Sequence, residues 1–251
     1  MQRSASAVLL TVILATPVAV SAQGGPGFLF RRPVLSVGIR AGYAVPRAGG
    51  DLFGQTLDDF IPSGADTTSS LSFNSPYLGG ELAVHPWDRW DIAVGFGWMR
   101  SRTLSEYRRW VDNSANPIQQ ETTFQVVTGT LGAKYYLRDR GRRVGTLAWV
   151  PSKLTPFLGA GIGISSYEFV QEGDFVDVST FAIDSDYLKT TGEGFIWYGS
   201  AGADFVLHKN ALLTAEARYS FSDARVEGSY DGFNNIDLAG MQLLVGIGFQ
   251  F

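Results

Sequence analysis

The sequence predicts an all-β protein: an eight-stranded, antiparallel, up-and-down transmembrane β-barrel. Three observations predict it. Stretches of about ten residues alternate large apolar with small or polar side chains, the period of a strand rather than a helix. The connections between them are alternately long and short, as when each strand returns beside its predecessor. Glycine is abundant, 30 of 251 residues, and recurs on the face opposite the apolar one.

The first residues read as an export signal. Arg3 gives a positive start, and "AVLLTVILATPVAV" is an apolar core too short, and too broken by Pro17, to span a bilayer. Val20, Ser21 and Ala22 place small residues before a cut at Gln23. Residues 1–22 are therefore expected to be a secretory signal peptide, and 23–251 an outer-membrane β-barrel domain with long extracellular loops.

The strands follow in order. "VLSVGIRAGYA" sets Leu35, Val37, Ile39, Ala41 and Tyr43 against Ser36, Gly38, Arg40 and Gly42, before a polar stretch at 46–72. "YLGGELAVH" sets Leu78, Leu82 and Val84 against Gly79, Glu81 and Ala83; a tight "PWDR" leads into "WDIAVGFGWM", with Trp90, Ile92, Val94, Phe96 and Trp98 against Asp91, Ala93, Gly95 and Gly97. A second polar stretch covers 101–122. "VVTGTLGAKYYL" sets Val127, Leu131, Ala133 and Tyr135 against Thr128, Thr130, Lys134 and Tyr136. The basic connection 138–153 is long for a turn, and the sequence gives no reason for it. "PFLGAGIGIS" sets Leu158, Ala160, Ile162 and Ile164 against Phe157 and three glycines. A third polar stretch, 166–193, precedes "FIWYGSAGADFVL", then the turn "HKN" and "LLTAEARYSF", whose polar face holds Thr214, Glu216, Arg218 and Ser220. A fourth loop, 222–236, leads to "MQLLVGIGFQF", where Met241, Leu243, Val245, Ile247, Phe249 and Phe251 share one parity.

Two barrels fit eight strands: a soluble one with its apolar face inside, and a membrane one with that face outside. The other face decides. It combines glycines with Arg40, Glu81, Asp91, Lys134, Asp204, Glu216 and Arg218, which would fill the narrow interior of an eight-stranded barrel. Aromatics also gather near strand ends, as interface girdles do. The membrane barrel is the reading adopted.

The stretches "TPFLGAGIG", "HKNALLTAEARYSF" and "VGIGFQF" resemble the small outer-membrane β-barrel superfamily, which includes OmpA membrane domains, OmpX and OmpW. The resemblance implies bacterial outer-membrane localisation and insertion by the barrel-assembly machinery through a last-strand signal ending in an aromatic residue. Gly246, Phe249 and Phe251 match that signal, although Leu244 stands where a polar residue is usual.

Composition narrows the function. With no cysteine and two histidines, disulfides, thiolate metal sites, lipid-modified cysteines and His-rich metal centres are excluded. No cofactor and no nucleic-acid footprint is expected. Acidic residues concentrate in the polar stretches; 166–193 holds Glu168, Glu172, Asp174, Asp177, Asp184, Asp186 and Glu193 against Lys189 alone. That suits a solvated outer surface, or divalent-cation binding beside lipopolysaccharide, though without EF-hand spacing. His85 and His208 fall at short turns, away from the outer loops, so no catalytic residues are assigned. The expected protein is a non-enzymatic monomer in contact with outer-membrane lipid and lipopolysaccharide. Its role would be structural or surface-interacting, with a narrow charged lumen acting as a gate. The alternative is a conduit for small, hydrophobic molecules. Within the lumen, Arg40 is expected to meet Glu81, Asp91 to meet Lys134, and Asp204 to lie beside Glu216 and Arg218.

Overall fold

The computed structural model describes residues 27–54, 57–177 and 179–251. The expected signal peptide lies outside them. Eight strands form the barrel: β1 (Leu35–Pro46), β2 (Ser75–Trp87), β3 (Trp90–Val111), β4 (Pro117–Tyr136), β5 (Leu154–Val176), β6 (Ile183–His208), β7 (Ala211–Ala224) and β8 (Gly240–Gln250). Every neighbouring pair is antiparallel. The ring closes where β1 pairs with β8, Arg40 opposite Gly246 and Tyr43 opposite Leu243. Closure leaves no free edge across the span that all eight strands share, so every ladder N–H and C=O there finds a partner without water.

The alternation places the apolar parity outside. Ile39, Val94, Leu131, Ile162, Phe195 and Val245 are all exposed, the least of them at 53%. Soluble proteins do not expose a continuous belt of this kind, so the soluble barrel is excluded. Aromatic pairs border the belt: Trp90 lies against Tyr135 at one end, and Trp197 stacks on Phe221 at 3.9 Å toward the other.

At the short-turn end, β2–β3 and β6–β7 are joined by two-residue turns, Asp88–Arg89 and Lys209–Asn210. The third connection is different. Residues 138–153 fold into a small hairpin, Gly141–Val144 against Ala148–Pro151. Trp149 is buried, and its backbone N–H and C=O pair with Leu29 at 2.8 and 2.9 Å. A Cβ on Gly141 would sit 2.3 Å from the Trp149 ring, so glycine lets the indole tuck under the barrel. The long connection is thus a clip that ties the N-terminal segment to the short-turn end.

The long-connection end departs from expectation. The polar stretches 101–122 and 166–193 are mostly strand: β3 and β4 are joined by residues 112–116, and β5 and β6 by 177–182. Here the inward face stays buried but becomes mixed, with Ser105, Gln120, Thr122, Gln171 and Thr190 enclosed beside Phe124, Tyr167 and Phe169. Hydrogen bonds satisfy several of them: Gln171 Nε2 donates to Gln120 Oε1 at 2.9 Å, and the Tyr230 hydroxyl donates to Gln171 Oε1 at 2.6 Å.

The described residues of 47–74 also fold inward. They form a short helix, Asp51–Gly54, and a short strand, Phe60–Pro62, paired with β3 at Ser105–Tyr107. Leu52, Phe53, Leu57, Phe60 and Phe73 are buried against Phe124 and Phe169 of the barrel wall, with Val226, Tyr230, Ile236 and Leu238 from the connection before β8. The Phe53 ring meets Phe73, Phe124 and Phe169 edge-on at 5.0–5.6 Å. This apolar cluster caps the lumen.

Candidate functional site

The interior below the cap holds two layers of charge. Glu81 and Glu216 anchor the first. Arg40, from β1, bridges them: Nη1 lies 2.6 Å from Glu216 Oε2, and Nη2 contacts Glu81. Arg218 meets Glu216 from the other side at 3.0 Å and lies over the Tyr198 ring at 4.1 Å. Lys134 completes the layer on Glu81. Glycines make room for it. Arg40 stands opposite Gly79 and Gly246, and a Cβ on Gly246 would fall 2.9 Å from the Arg40 side chain.

The second layer lies nearer the short-turn end. His85 Nδ1 is 2.6 Å from Asp91 Oδ1, and Arg140 Nη1 reaches the same oxygen at 2.9 Å. The Tyr136 hydroxyl sits between Asp91 at 3.0 Å and Asp204 at 2.7 Å. Thr214 donates to Asp204 at 2.7 Å. Arg140 also lies over the Tyr136 ring at 4.8 Å.

The expected lumen residues are therefore all interior, but their pairing differs in part. Arg40 meets Glu81, and Glu216 meets Arg218. Asp91 does not meet Lys134, although they are direct register partners; the lysine extends to Glu81, and Arg140 takes its place on Asp91. Asp204 bonds Tyr136 and Thr214 rather than Glu216 or Arg218. Sequence reasoning missed His85, Tyr136 and Arg140 as partners. His85 had a readable signal: it continues the inward parity of Glu81 and Ala83, so it belongs to the strand and not to the turn. Arg140 had none, because its direction depends on the Trp149 clip. It supplies the fourth cation, and Arg40, Lys134, Arg140 and Arg218 balance Glu81, Asp91, Asp204 and Glu216. Between the layers, the space lined by Arg40, Glu81, Asp91, Lys134, Tyr136 and Arg140 amounts to about 30 Å³, room for about one water.

A closed ring of eight tilted strands, an apolar exterior and a charge-filled interior together decide the architecture. The chain has the fold of the small outer-membrane β-barrels. It matches no family model and no curated protein sequence. Among solved barrels it is similar to OprG, an outer membrane protein from Pseudomonas aeruginosa (16% identity, 89% of this chain and 99% of that chain, TM-score 0.49). It is also similar to Neisserial surface protein A (13% identity, 86% and 97%, TM-score 0.47). A third is Escherichia coli outer membrane protein W (17% identity, 88% and 100%, TM-score 0.38).

Two features limit the chemistry of this barrel's interior. The His85–Asp91 pair is sealed, with side chains 0% and 3% exposed. Arg140 Nη2 faces the other ring nitrogen at 3.5 Å, so both ring nitrogens have protein partners. Among the described residues, no group of three or more His, Asp or Glu side chains could hold a metal ion. Several loop carboxylates are occupied locally: Asp112 accepts from Ser114 and Asn116, and Asp177 from Ser179 and Thr180. The three residues of the expected assembly signal have separate positions. Gly246 faces Arg40 in the lumen, while Phe249 and Phe251 are exposed on the apolar belt.

Proposed function

We propose that the protein is a non-enzymatic, monomeric barrel of the bacterial outer membrane. Its strands serve as a sealed anchor, and its long-connection end faces outward as an interaction surface. The observation that carries this reading is the pair of unlike seals in series, an apolar cap above and a neutral, cross-bonded charge network below. An ion crossing the cap loses its hydration, and a neutral solute crossing the network must part several buried ion pairs. What remains for function is the crown of extended strands. Planar-bilayer recording tests this: wild-type protein should give no steady conductance, and a resolved open level would overturn the sealed-anchor reading.

One observation favours a conduit as the second reading. Between cap and network, the wall is lined by Ala44, Met99, Phe124, Val126, Ile196 and Leu238, together with Thr128, Ser165, Ser220 and Gln242; the space is about 20 Å³, so a small hydrophobic solute would have to displace part of the cap to pass along this largely apolar wall. Uptake of such a solute into protein-bearing vesicles, faster than into empty ones, would favour it over the anchor. For Gly246, Phe249 and Phe251 we propose recognition by the barrel-assembly machinery. Phe251→Ser should slow assembly in cells while leaving spontaneous refolding into vesicles near wild type; equal effects on both would remove the assignment.

A further inference from the structure

The outer end of β3 is irregular. Its register with β4 breaks between Glu106 and Val111, where Phe60–Pro62 pairs along its other edge. The displaced end leaves a cleft of about 210 Å³ toward the β5–β6 hairpin, lined by Asp59, Phe60, Tyr107, Trp110, Phe175, Val176 and Leu188. Four of these are aromatic. Phe60 and Tyr107 pack at 4.3 Å between ring centres, and Trp110 is backed by Phe181 at 5.6 Å.

The one charge in the cleft lining is an acid. Asp59 is at its lip. Asp184 is the direct register partner of Phe175, and Asp186 lies between Asp184 and Leu188 on the same strand face, so both carboxylates share the face of the cleft wall. Neither has an ion-pair partner among the described residues, whereas Asp59 is shared with the exposed Arg109 at 3.2 Å. An aromatic-lined hollow with one carboxylate, Asp59, in its lining and two more on the adjoining strand face disfavours anions. It attracts a cation whose charge is spread over an apolar body, since ring faces and carboxylates both favour positive charge while the hollow favours methyl groups.

We propose that this cleft binds a quaternary ammonium group, as a free methylated amine or as the choline headgroup of a facing membrane. The proposal rests on the outward orientation of the crown but not on the lumen being sealed. Full-length barrel in a maltoside detergent, chosen because choline-headed detergents would compete, is titrated with choline and with its neutral isostere 3,3-dimethylbutan-1-ol. Choline should bind at least about fivefold more tightly. Tyr107→Leu and Phe175→Leu, which keep apolar bulk but remove the ring, should each abolish most of that preference. Equal affinity for both compounds, or no binding of choline, overturns the proposal, as does a preference that survives both leucine variants. Phosphatidylcholine vesicles added to intact cells then separate the sources: vesicle capture that choline competes away identifies a headgroup, and choline binding without capture identifies a free amine. If choline binds the purified barrel but not whole cells, the orientation has failed and the cleft has not.

Discussion

At the residue scale, Glu216 is the position on which the lumen depends most. It is fully enclosed and holds two arginines, and Arg218 has no other carboxylate within ion-pair distance among the described residues. Glu216→Ala should cost about 3–5 kcal/mol, the range for stranding a buried charge, read from urea unfolding in lipid vesicles. Glu81→Ala should cost less. It frees Lys134, but that side chain is flexible and its register partner is Asp91, so it has a second acid to turn to. A larger loss for Glu81→Ala would mean the network is centred elsewhere. Replacing Arg40 and Glu81 together is not the neutral swap their pairing suggests, because Lys134 must still turn to Asp91 and Glu216 keeps Arg218 alone. The charges themselves were legible in the sequence, since a strand's parity fixes which side chains enter a narrow lumen. Their partners were legible in part: Arg40 and Glu81 pair as neighbouring strands suggest, but a lysine spans more than one rung of the ladder, so register alone does not choose between Asp91 and Glu81.

At the scale of the element, parity was legible where hydropathy alternates and lost where it does not. Val94 sits outward midway between the exposed Trp90 and Trp98, 57% exposed. Val94→Arg should cost about 2–4 kcal/mol in a bilayer if it lies near the midplane, and wild-type stability of that variant would show the belt to be misplaced. Past residue 100 of β3 and 165 of β5 the strands continue, but β3 turns Ser101, Thr103 and Ser105 inward, and β5 turns Tyr167 and Phe169 inward with Glu168 and Glu172 on the other face, so the apolar-outward alternation is lost and the segments read as loops. Only the hydrogen bonds among Gln120, Gln171 and Tyr230 reveal that this face is enclosed. The connection 177–182 makes its own prediction. Hydrogen bonds from the Ser179 hydroxyl and backbone, and from Thr180, hold the Asp177 carboxyl down to about 2. A depressed carboxyl contributes order that is fully present above its ordinary range, near pH 4, and lost as pH falls toward 2. Carboxyl NMR should therefore show Asp177 ionised at pH 3, and a midpoint near 4 would mean that the turn is not formed.

For the whole molecule, the two seals should act in series. Glu216→Ala weakens the network but leaves Phe53, Phe73, Phe124 and Phe169 in contact. Phe53→Ala loosens the cap but leaves the ion pairs. Each single variant should remain non-conducting in planar bilayers, and the double variant should show brief openings. Conductance from Glu216→Ala alone would mean that the cap is not a barrier. The overall barrel was legible because the meander pattern, the glycine-rich face and the aromatic ends all follow from the same eight-fold repeat. The cap was not, because 47–74 is polar on average and buries only a few scattered aromatics. The length of the strands has a further consequence. β5 runs for 23 residues, about 75 Å along the chain at about 3.3 Å per residue. At a tilt of about 40° it rises roughly 55–60 Å, against an apolar band of about 25 Å. The crown therefore stands some 30 Å clear of the lipid boundary. At that height the aromatic cleft is beyond the reach of headgroups in its own membrane, and whatever fills it must arrive from the medium or from another surface.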